Sequence, residues 1–255
     1  MKKNIFHLLN LLAGLVASFS ISACSVSSIN HYYPDKKMSF QTDIDMSQAL
    51  VMMEGFMPDS LKQNNDFMNT NKYPKDWKSL YDLKKEEGKV TANPDSIRIL
   101  KKIFFRGNFN QDKFSGFSVK TEALTKDEIA STGKLMGKDG AMINNSAFDD
   151  WNGKTLTINT SKLQISEKEI QDIFKSLEET KGEDKQPIES LLGMMQIDFK
   201  NQLLFDNKIK SLKGRHDWVK KINDKTIEVT INLQEMMDKN HQFKNKDEII
   251  LIETE

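Results

Sequence analysis

Residues 226–233, TIEVTINL, show the strongest strand pattern in the chain and decide its fold. The alternating apolar positions are Ile227, Val229, Ile231 and Leu233. Apolar side chains at every second residue are typical of a strand with one buried face. These residues therefore predict a half-buried strand, and the rest of the fold can be worked out from its neighbours along the chain.

Similar alternation recurs on both sides of this stretch. It predicts further strands over residues 38–44, 113–123, 154–160, 197–205, 209–212 and 249–252. Strands that follow one another along a chain usually pair antiparallel. The Asp206-Asn207 turn should then fold 209–212 back onto 197–205 as a hairpin.

Helices are predicted between these strands by apolar spacing and by capping signals. The segments are 46–57, 75–87 with Gly88 as its end, 97–105 after Asn93-Pro94-Asp95, and two that open with capping boxes, Thr125/Glu128 and Ser166/Glu169. The sequence predicts an α+β fold, in which an antiparallel β-sheet has helices packed mainly on one face.

The first two dozen residues follow a different pattern, that of an export signal. Lys2 and Lys3 precede a largely apolar run from Ile5 to Phe19, which has the length of a signal-peptide core and is too short to span a membrane. Ser20-Ile21-Ser22-Ala23-Cys24 follows where a cleavage site is due. This motif resembles the lipobox of bacterial lipoproteins, which more often has Leu at the position of Ile21.

The resemblance implies a lipid anchor on Cys24. Residues 1–23 would be the signal peptide, and Cys24 would carry acyl chains such as palmitate. Residues 24–37 would then form the lipidated cysteine and a flexible tether, followed by a single α+β domain over 38–255. Cys24 is the only cysteine in the chain, so an internal disulfide is impossible and lipidation would remove an exposed free thiol. The alternative is an ordinary secretory signal with a cysteine there by chance.

Location follows from the same resemblance. The protein is expected in the cell envelope, lipid-anchored to the outer membrane and facing the periplasm, because Ser25 is not acidic. The 37 basic and 37 acidic side chains balance, which gives no electrostatic case for nucleic acid as a partner. The expected partner is the membrane itself, through the anchor.

Few residues suggest catalysis or metal binding. His216-Asp217 is the one adjacent histidine–carboxylate pair, and a solvated turn explains it better than a general base. Asn108, Asn110 and Asp112 have calcium-loop spacing, but Lys113 stands where that loop needs glycine. The methionines are better explained as core than as Cu(I) ligands. We expect no enzyme activity, no cofactor and no metal site.

The run from Ile197 to Ile252 resembles, in its overall pattern, uncharacterised lipoproteins of Gram-negative bacteria, and the resemblance implies no activity. Two functions remain open. A non-catalytic binding module would hold an apolar ligand or lipid against its sheet. A structural or adaptor lipoprotein would instead bind an envelope protein through its surface.

Overall fold

A computed structural model describes residues 24–48, 50–51, 73–89, 93–136, 148, 150–163, 197–232, 234–235, 238 and 240–255. The strands are β1 Cys24–Tyr32, β2 Met38–Asp45, β3 Lys78–Ser79, β4 Ile103–Asn110, β5 Lys113–Thr121, β6 Asp150–Trp151, β7 Thr155–Asn159, β8 Ile197–Phe205, β9 Ile209–Lys213, β10 Val219–Asn223, β11 Thr226–Asn232 and β12 Ile249–Thr254. The helices are α1 Leu80–Glu86, α2 Pro94–Leu100 and α3 Lys126–Met136, and Thr160–Leu163 forms a 3-10 turn.

These strands form two sheets. The large sheet has the order β10-β11-β8-β1-β2-β5-β4-β3, and the small one has the order β6-β7-β12-β9. The predicted α+β class is confirmed, and neighbouring strands of the large sheet pair antiparallel except β1 and β8, which are parallel. That parallel pair makes the sheet mixed, because β1 comes from the start of the domain and lies between later strands.

The predicted tether over residues 24–37 is wrong, because Cys24–Tyr32 is a central strand. It pairs over its whole length with β8 and, from Ser25 onward, with β2. Its alternate side chains face the core: Tyr32 and Asn30 are buried, whereas Ser25 and Ser27 on the other face are exposed. The domain therefore includes β1 and extends to the start of that strand.

One face of the large sheet carries two separate apolar cores. Over β11 and β8 it packs against the small sheet, where the fully buried residues are Leu156, Ile158, Leu203, Ile227, Ile250 and Ile252. Over β2, β5 and β4 it packs against α2, through Phe40, Ile99, Ile103 and Val119. Burying each such side chain contributes about 1.5–3 kcal/mol.

Helix ends follow the predicted signals closely. Asn93 caps α2 through a bond from the Ser96 N–H to Oδ1 (3.0 Å), and Gly88 ends α1 with φ of 70°. The capping box is also present: the Glu128 N–H donates to Thr125 Oγ1 (3.3 Å), and the Thr125 N–H donates to Glu128 Oε2 (2.9 Å). The second predicted box, at Ser166, lies outside the described residues.

Three predicted elements differ from the structure. The helix predicted over 75–87 begins only at Leu80, because Lys78 and Ser79 form strand β3 and pair with β4. The helix predicted over 97–105 ends at Leu100, because Ile103 already begins strand β4. The hairpin predicted between 197–205 and 209–212 does not form, since β9 crosses to the small sheet and pairs with β12. The errors at 97–105 and 209–212 arise because an apolar segment can pack either against residues close in sequence or against residues far away.

Candidate functional site

Cys24 lies at the first position of β1, where its backbone is opposite Ile197 of β8. The structure thus places the predicted lipidation residue at one end of the large sheet, with no spacer between it and the folded domain. We call this the Cys24 end of the sheet. Asp45, the last residue of β2, also lies here, because it pairs with Ser25.

A group of polar side chains interrupts the apolar face of the large sheet at its centre. Its members, here called the polar patch, are Ser28, Asn30, Thr42 and Asn201. They come from three adjacent strands, β8, β1 and β2, and the registers place their side chains on the covered face. The patch lies between the two cores over β8 and β1, whereas on β2 the cores meet directly, at Met38 of the first and Phe40 of the second.

Hydrogen bonds within the patch join its members in pairs. The Asn30 amide donates to Asn201 Oδ1 (3.2 Å), and the Ser28 and Thr42 hydroxyls lie 3.0 Å apart. Asn30 and Asn201 are buried, with 5% and 9% of their surface exposed, while Ser28 and Thr42 remain half-buried. A hydroxyl can donate one bond and accept two, so this pair keeps capacity for a further polar group.

An apolar row borders the patch toward the Cys24 end. Crossing β8, β1, β2 and β5, it consists of Phe199, Val26, Ile44 and Phe117. Phe199 packs on the first core and Phe117 on the second, whereas Val26 and Ile44 belong to neither. All four side chains are half-buried. The row and the patch together present apolar surface with a few uncharged polar groups, the composition of sites that bind small apolar molecules.

His216 and Asp217 do not act on one another through a hydrogen bond. His216 is 5% exposed, and its Nδ1 accepts a bond from the Trp218 backbone N–H (3.3 Å). Asp217 instead accepts from the backbone N–H groups of Lys244 (2.6 Å) and Asn245 (3.1 Å). Asp217 thus holds the 244–245 loop in place. The prediction that His216 lies in a solvated turn is wrong for this residue, which packs between aromatic rings.

The charges of this corner are consistent with that structural role. Burial lowers the pKa of His216, although the carboxylates of Asp217 and Asp247 act in the opposite direction. The Asn245 amide, together with the backbone N–H groups, holds the pKa of Asp217 below its usual value. The two shifts favour the neutral form of His216 and the ionised form of Asp217.

The segment with calcium-loop spacing forms a tight β-hairpin. Gln111 and Asp112 connect β4 to β5, and both have positive φ, 48° and 65°. Two successive positive φ angles are typical of a type I′ turn. Within the described ranges no group of three or more His, Cys, Asp or Glu side chains is placed to hold a metal ion.

None of the helices in those ranges has the length and apolar character needed to cross a membrane.

The sequence analysis placed Thr42 and Asn201 in strands but did not predict the polar patch. Thr42 and Asn201 occupy core-facing positions of predicted strands. A polar residue at a position where the alternation calls for an apolar one was the signal that could have revealed them. Ser28 and Asn30 fell in the predicted tether. Most of the methionines, including Met53 and Met194, lie outside the described residues.

Comparisons with known proteins add little. No family model matches the chain, and no curated protein matches it. Among solved structures, the chain is similar to the NMR structure of the folded domain of the LppM protein of Mycobacterium tuberculosis, with 13% identity and a TM-score of 0.37. The match covers 91% of this chain and 89% of that one.

Proposed function

We propose that this protein is a lipid-anchored envelope protein whose domain binds an apolar molecule bearing an uncharged polar group. The observation that carries the proposal is the polar patch inside the apolar face of the large sheet. Polar side chains on this face replace apolar packing, and a hydrogen bond between two of them contributes only about 0.5–1.5 kcal/mol. The Ser28 and Thr42 hydroxyls keep hydrogen-bonding capacity beyond the bond that they share, and a ligand with a polar group that uses this capacity explains their position on the apolar face.

The class of ligand follows from the side chains at the site. The patch offers hydroxyls and carboxamides but no charged group, and the bordering row offers aliphatic and aromatic carbon. A molecule with an acyl chain and an ester, hydroxyl or amide would match both surfaces. A free carboxylate would find no cation in the patch, so a fatty acid should bind less well than its uncharged glycerol ester.

A binding role is favoured over an adaptor role by the distribution of exposed apolar residues. The large exposed ones in the described ranges are Ile29, Val51, Ile222 and Ile249. They come from separate elements, whereas an adaptor surface usually shows a contiguous apolar patch. The non-catalytic part of the proposal rests on His216 and Asp217, because His216 Nδ1 and the Asp217 carboxylate accept hydrogen bonds from backbone N–H groups and not from one another.

The anchor is proposed from the sequence Ile21-Ser22-Ala23-Cys24 alone. Acylated Cys24 would attach the domain durably, since each buried methylene contributes about 0.8 kcal/mol. By resemblance to lipoprotein sorting, Ser25 would direct the protein to the outer membrane, facing the periplasm. Metabolic labelling with a fatty-acid analogue tests this: wild type should incorporate the label, and a labelled Cys24→Ser variant would contradict the proposal.

The ligand proposal is tested on residues 24–255 carrying Cys24→Ser. Titration with a fluorescent monoacylglycerol and with the matching fatty acid should show tighter binding of the glycerol ester. Replacing both patch hydroxyls, Ser28→Ala with Thr42→Val, should weaken binding about tenfold or more, the equivalent of roughly 1.4 kcal/mol. The matched control is Ser27→Ala, one residue away on the exposed face. Equal binding by wild type and the double variant would overturn the assignment of the site.

A further inference from the structure

The hairpin between β4 and β5 projects past the Cys24 end of the sheet. Ser25 pairs with Asp45, and Asp45 pairs with Gly116, so these residues mark one level of the sheet. From Gly116 the strand continues outward to Lys113, three residues further. A register shift between Asn108 and Phe109 means that β4 covers the same stretch with only two residues, Asn108 to Asn110. At 3.3 Å per residue the paired strands therefore extend about 7 Å beyond that level, and the turn that follows carries the hairpin tip to about 10 Å.

This geometry matters because β1 begins at the residue that would be anchored. A flexible tether would let the domain float free of the membrane, whereas a strand paired from Cys24 fixes the sheet end at the anchor. The headgroup layer on each side of a bilayer is roughly 5–8 Å thick. A hairpin reaching about 10 Å past the anchored strand end must therefore enter that layer.

The side chains of the hairpin suit a membrane interface. Phe109 is half-buried, and the Lys75 ammonium lies 5.3 Å from the centre of its ring. Lys113 at the tip is exposed, so the two lysines outnumber the one tip carboxylate, Asp112. An aromatic ring beside lysines with long apolar stems is a common combination at the boundary of headgroups and acyl chains.

The root of the hairpin is rigid enough to hold this position. Tyr73 stacks on Phe114 with ring centres 4.5 Å apart, and Phe109 packs edge-on against Phe114 at 5.8 Å. Phe114 itself is 8% exposed. The tip is thus supported by a packed aromatic base, and its direction follows the sheet.

We propose that the β4–β5 hairpin, residues 109–114, is a second membrane contact that works together with acylated Cys24. The proposal rests on the lipid anchor proposed above. Two contacts at one end of the sheet fix the domain upright on the bilayer. The half-buried row of Phe199, Val26, Ile44 and Phe117 lies at the same end, so the proposed ligand site also faces the membrane.

The test uses the full acylated chain in vesicles of phosphatidylethanolamine and phosphatidylglycerol that contain a headgroup-quencher lipid. Because the Cys24 thiol is consumed by acylation, an engineered cysteine is the only free thiol and can be labelled with a fluorophore. Asn110→Cys reports on the hairpin. Lys208→Cys reports on the opposite end, beyond the position where Tyr32 pairs with Phe205.

We expect the label at residue 110 to be quenched at least threefold more than the label at residue 208. Inserting eight Gly/Ser residues between Cys24 and Ser25 should reduce quenching at 110 toward the level at 208. Mass spectrometry of the same samples separates the two proposals. Acylated protein with equal quenching at both positions overturns the hairpin contact alone, whereas an unmodified Cys24 overturns the anchor and, with it, this inference.

Discussion

The Asn30 side chain donates a hydrogen bond to Asn201 Oδ1 across the parallel pairing of β1 and β8. The two residues are 171 positions apart in the chain and lie between the two apolar cores. This bond joins the first strand of the domain to a strand near its end. It also fixes their register, because a one-residue slip would move either amide to the exposed face.

Replacing Asn201 by Ala should destabilise the fold by about 2 kcal/mol, because it leaves the buried Asn30 amide without this acceptor and removes packed atoms. Urea unfolding of the Cys24→Ser domain measures the effect. Gln202→Ala, the next residue on the opposite face, is the control and should change stability by less than about 0.5 kcal/mol. Equal losses in both variants would contradict a special role for the Asn30–Asn201 bond.

Local signals predicted much of this fold. The strand containing Ile227, the helix cap at Asn93 and the Thr125/Glu128 capping box all depend on neighbours within a few residues, and all are present. These features follow from short-range periodicity and backbone bonding. The α+β class followed from them.

The central strand could not be predicted in this way. In β1 the core-facing residues include Ser28 and Asn30, so the segment lacks the apolar alternation that identifies a strand. Its stability comes from pairing with β8, whose partner residues are far away in sequence. The polar patch was missed for the same reason, since two of its members lie on β1.

Removing β1 should abolish folding. A chain that starts at Met38 loses both ladders of the central strand and leaves β2 and β8 with unpaired edges. We expect no cooperative urea transition by circular dichroism, whereas residues 24–255 with Cys24→Ser should unfold in one transition. A cooperative transition of the short chain with an unchanged m-value would contradict a central role for β1, since m scales with the surface exposed on unfolding.

The β4–β5 turn is a place where stability can be gained. Gln111 and Asp112 both adopt positive φ, which is unfavourable for Gln and tolerated less well by Asp than by Gly. The double substitution Gln111→Asn and Asp112→Gly should stabilise the domain by about 1 kcal/mol, a rise in Tm of roughly 2–4 °C. The Lys75–Asp112 ion pair that is lost is exposed and contributes little.

The matched control for this turn is Gln111→Ala, which keeps the unfavourable φ without the benefit of Asn. Its Tm should not rise. A Tm of the Asn-Gly variant equal to or below that of wild type would show that the turn is not strained in solution.

Acid should destabilise the domain first through His216. Burial lowers the pKa of this imidazole, so the unfolded chain binds a proton more readily than the folded one. The contribution of neutral His216 to stability is therefore fully present above the ordinary histidine pKa of about 6.5, and it declines as pH falls below that value. Urea midpoints measured between pH 8 and pH 5 should fall for wild type. The urea midpoints of His216→Gln should change less with pH, even though this variant is less stable than wild type at pH 8.

A second loss of stability, at lower pH, should come from Glu128. Its side chain is 8% exposed and joins α3 to α2 through an ion pair with Arg98. Burial alone would raise its pKa, but the Thr125 N–H and the cations of Arg98 and Lys102 outweigh it, and the pKa lies below its usual value. A lowered pKa contributes stability above the ordinary value of about 4.3, which is lost as pH falls through the folded pKa.

Glu128→Gln keeps the capping box, since Gln also serves at that position, and removes only the charge. At pH 7 it should cost about 1–2 kcal/mol, measured by urea unfolding, because Arg98 and Lys102 lose their buried partner. The exposed Glu122→Gln is the control and should change stability little. The difference between wild type and Glu128→Gln should shrink below about pH 4, where the wild-type carboxyl is also protonated. A difference that stays constant down to pH 3 would show that the charge of Glu128 does not stabilise the fold.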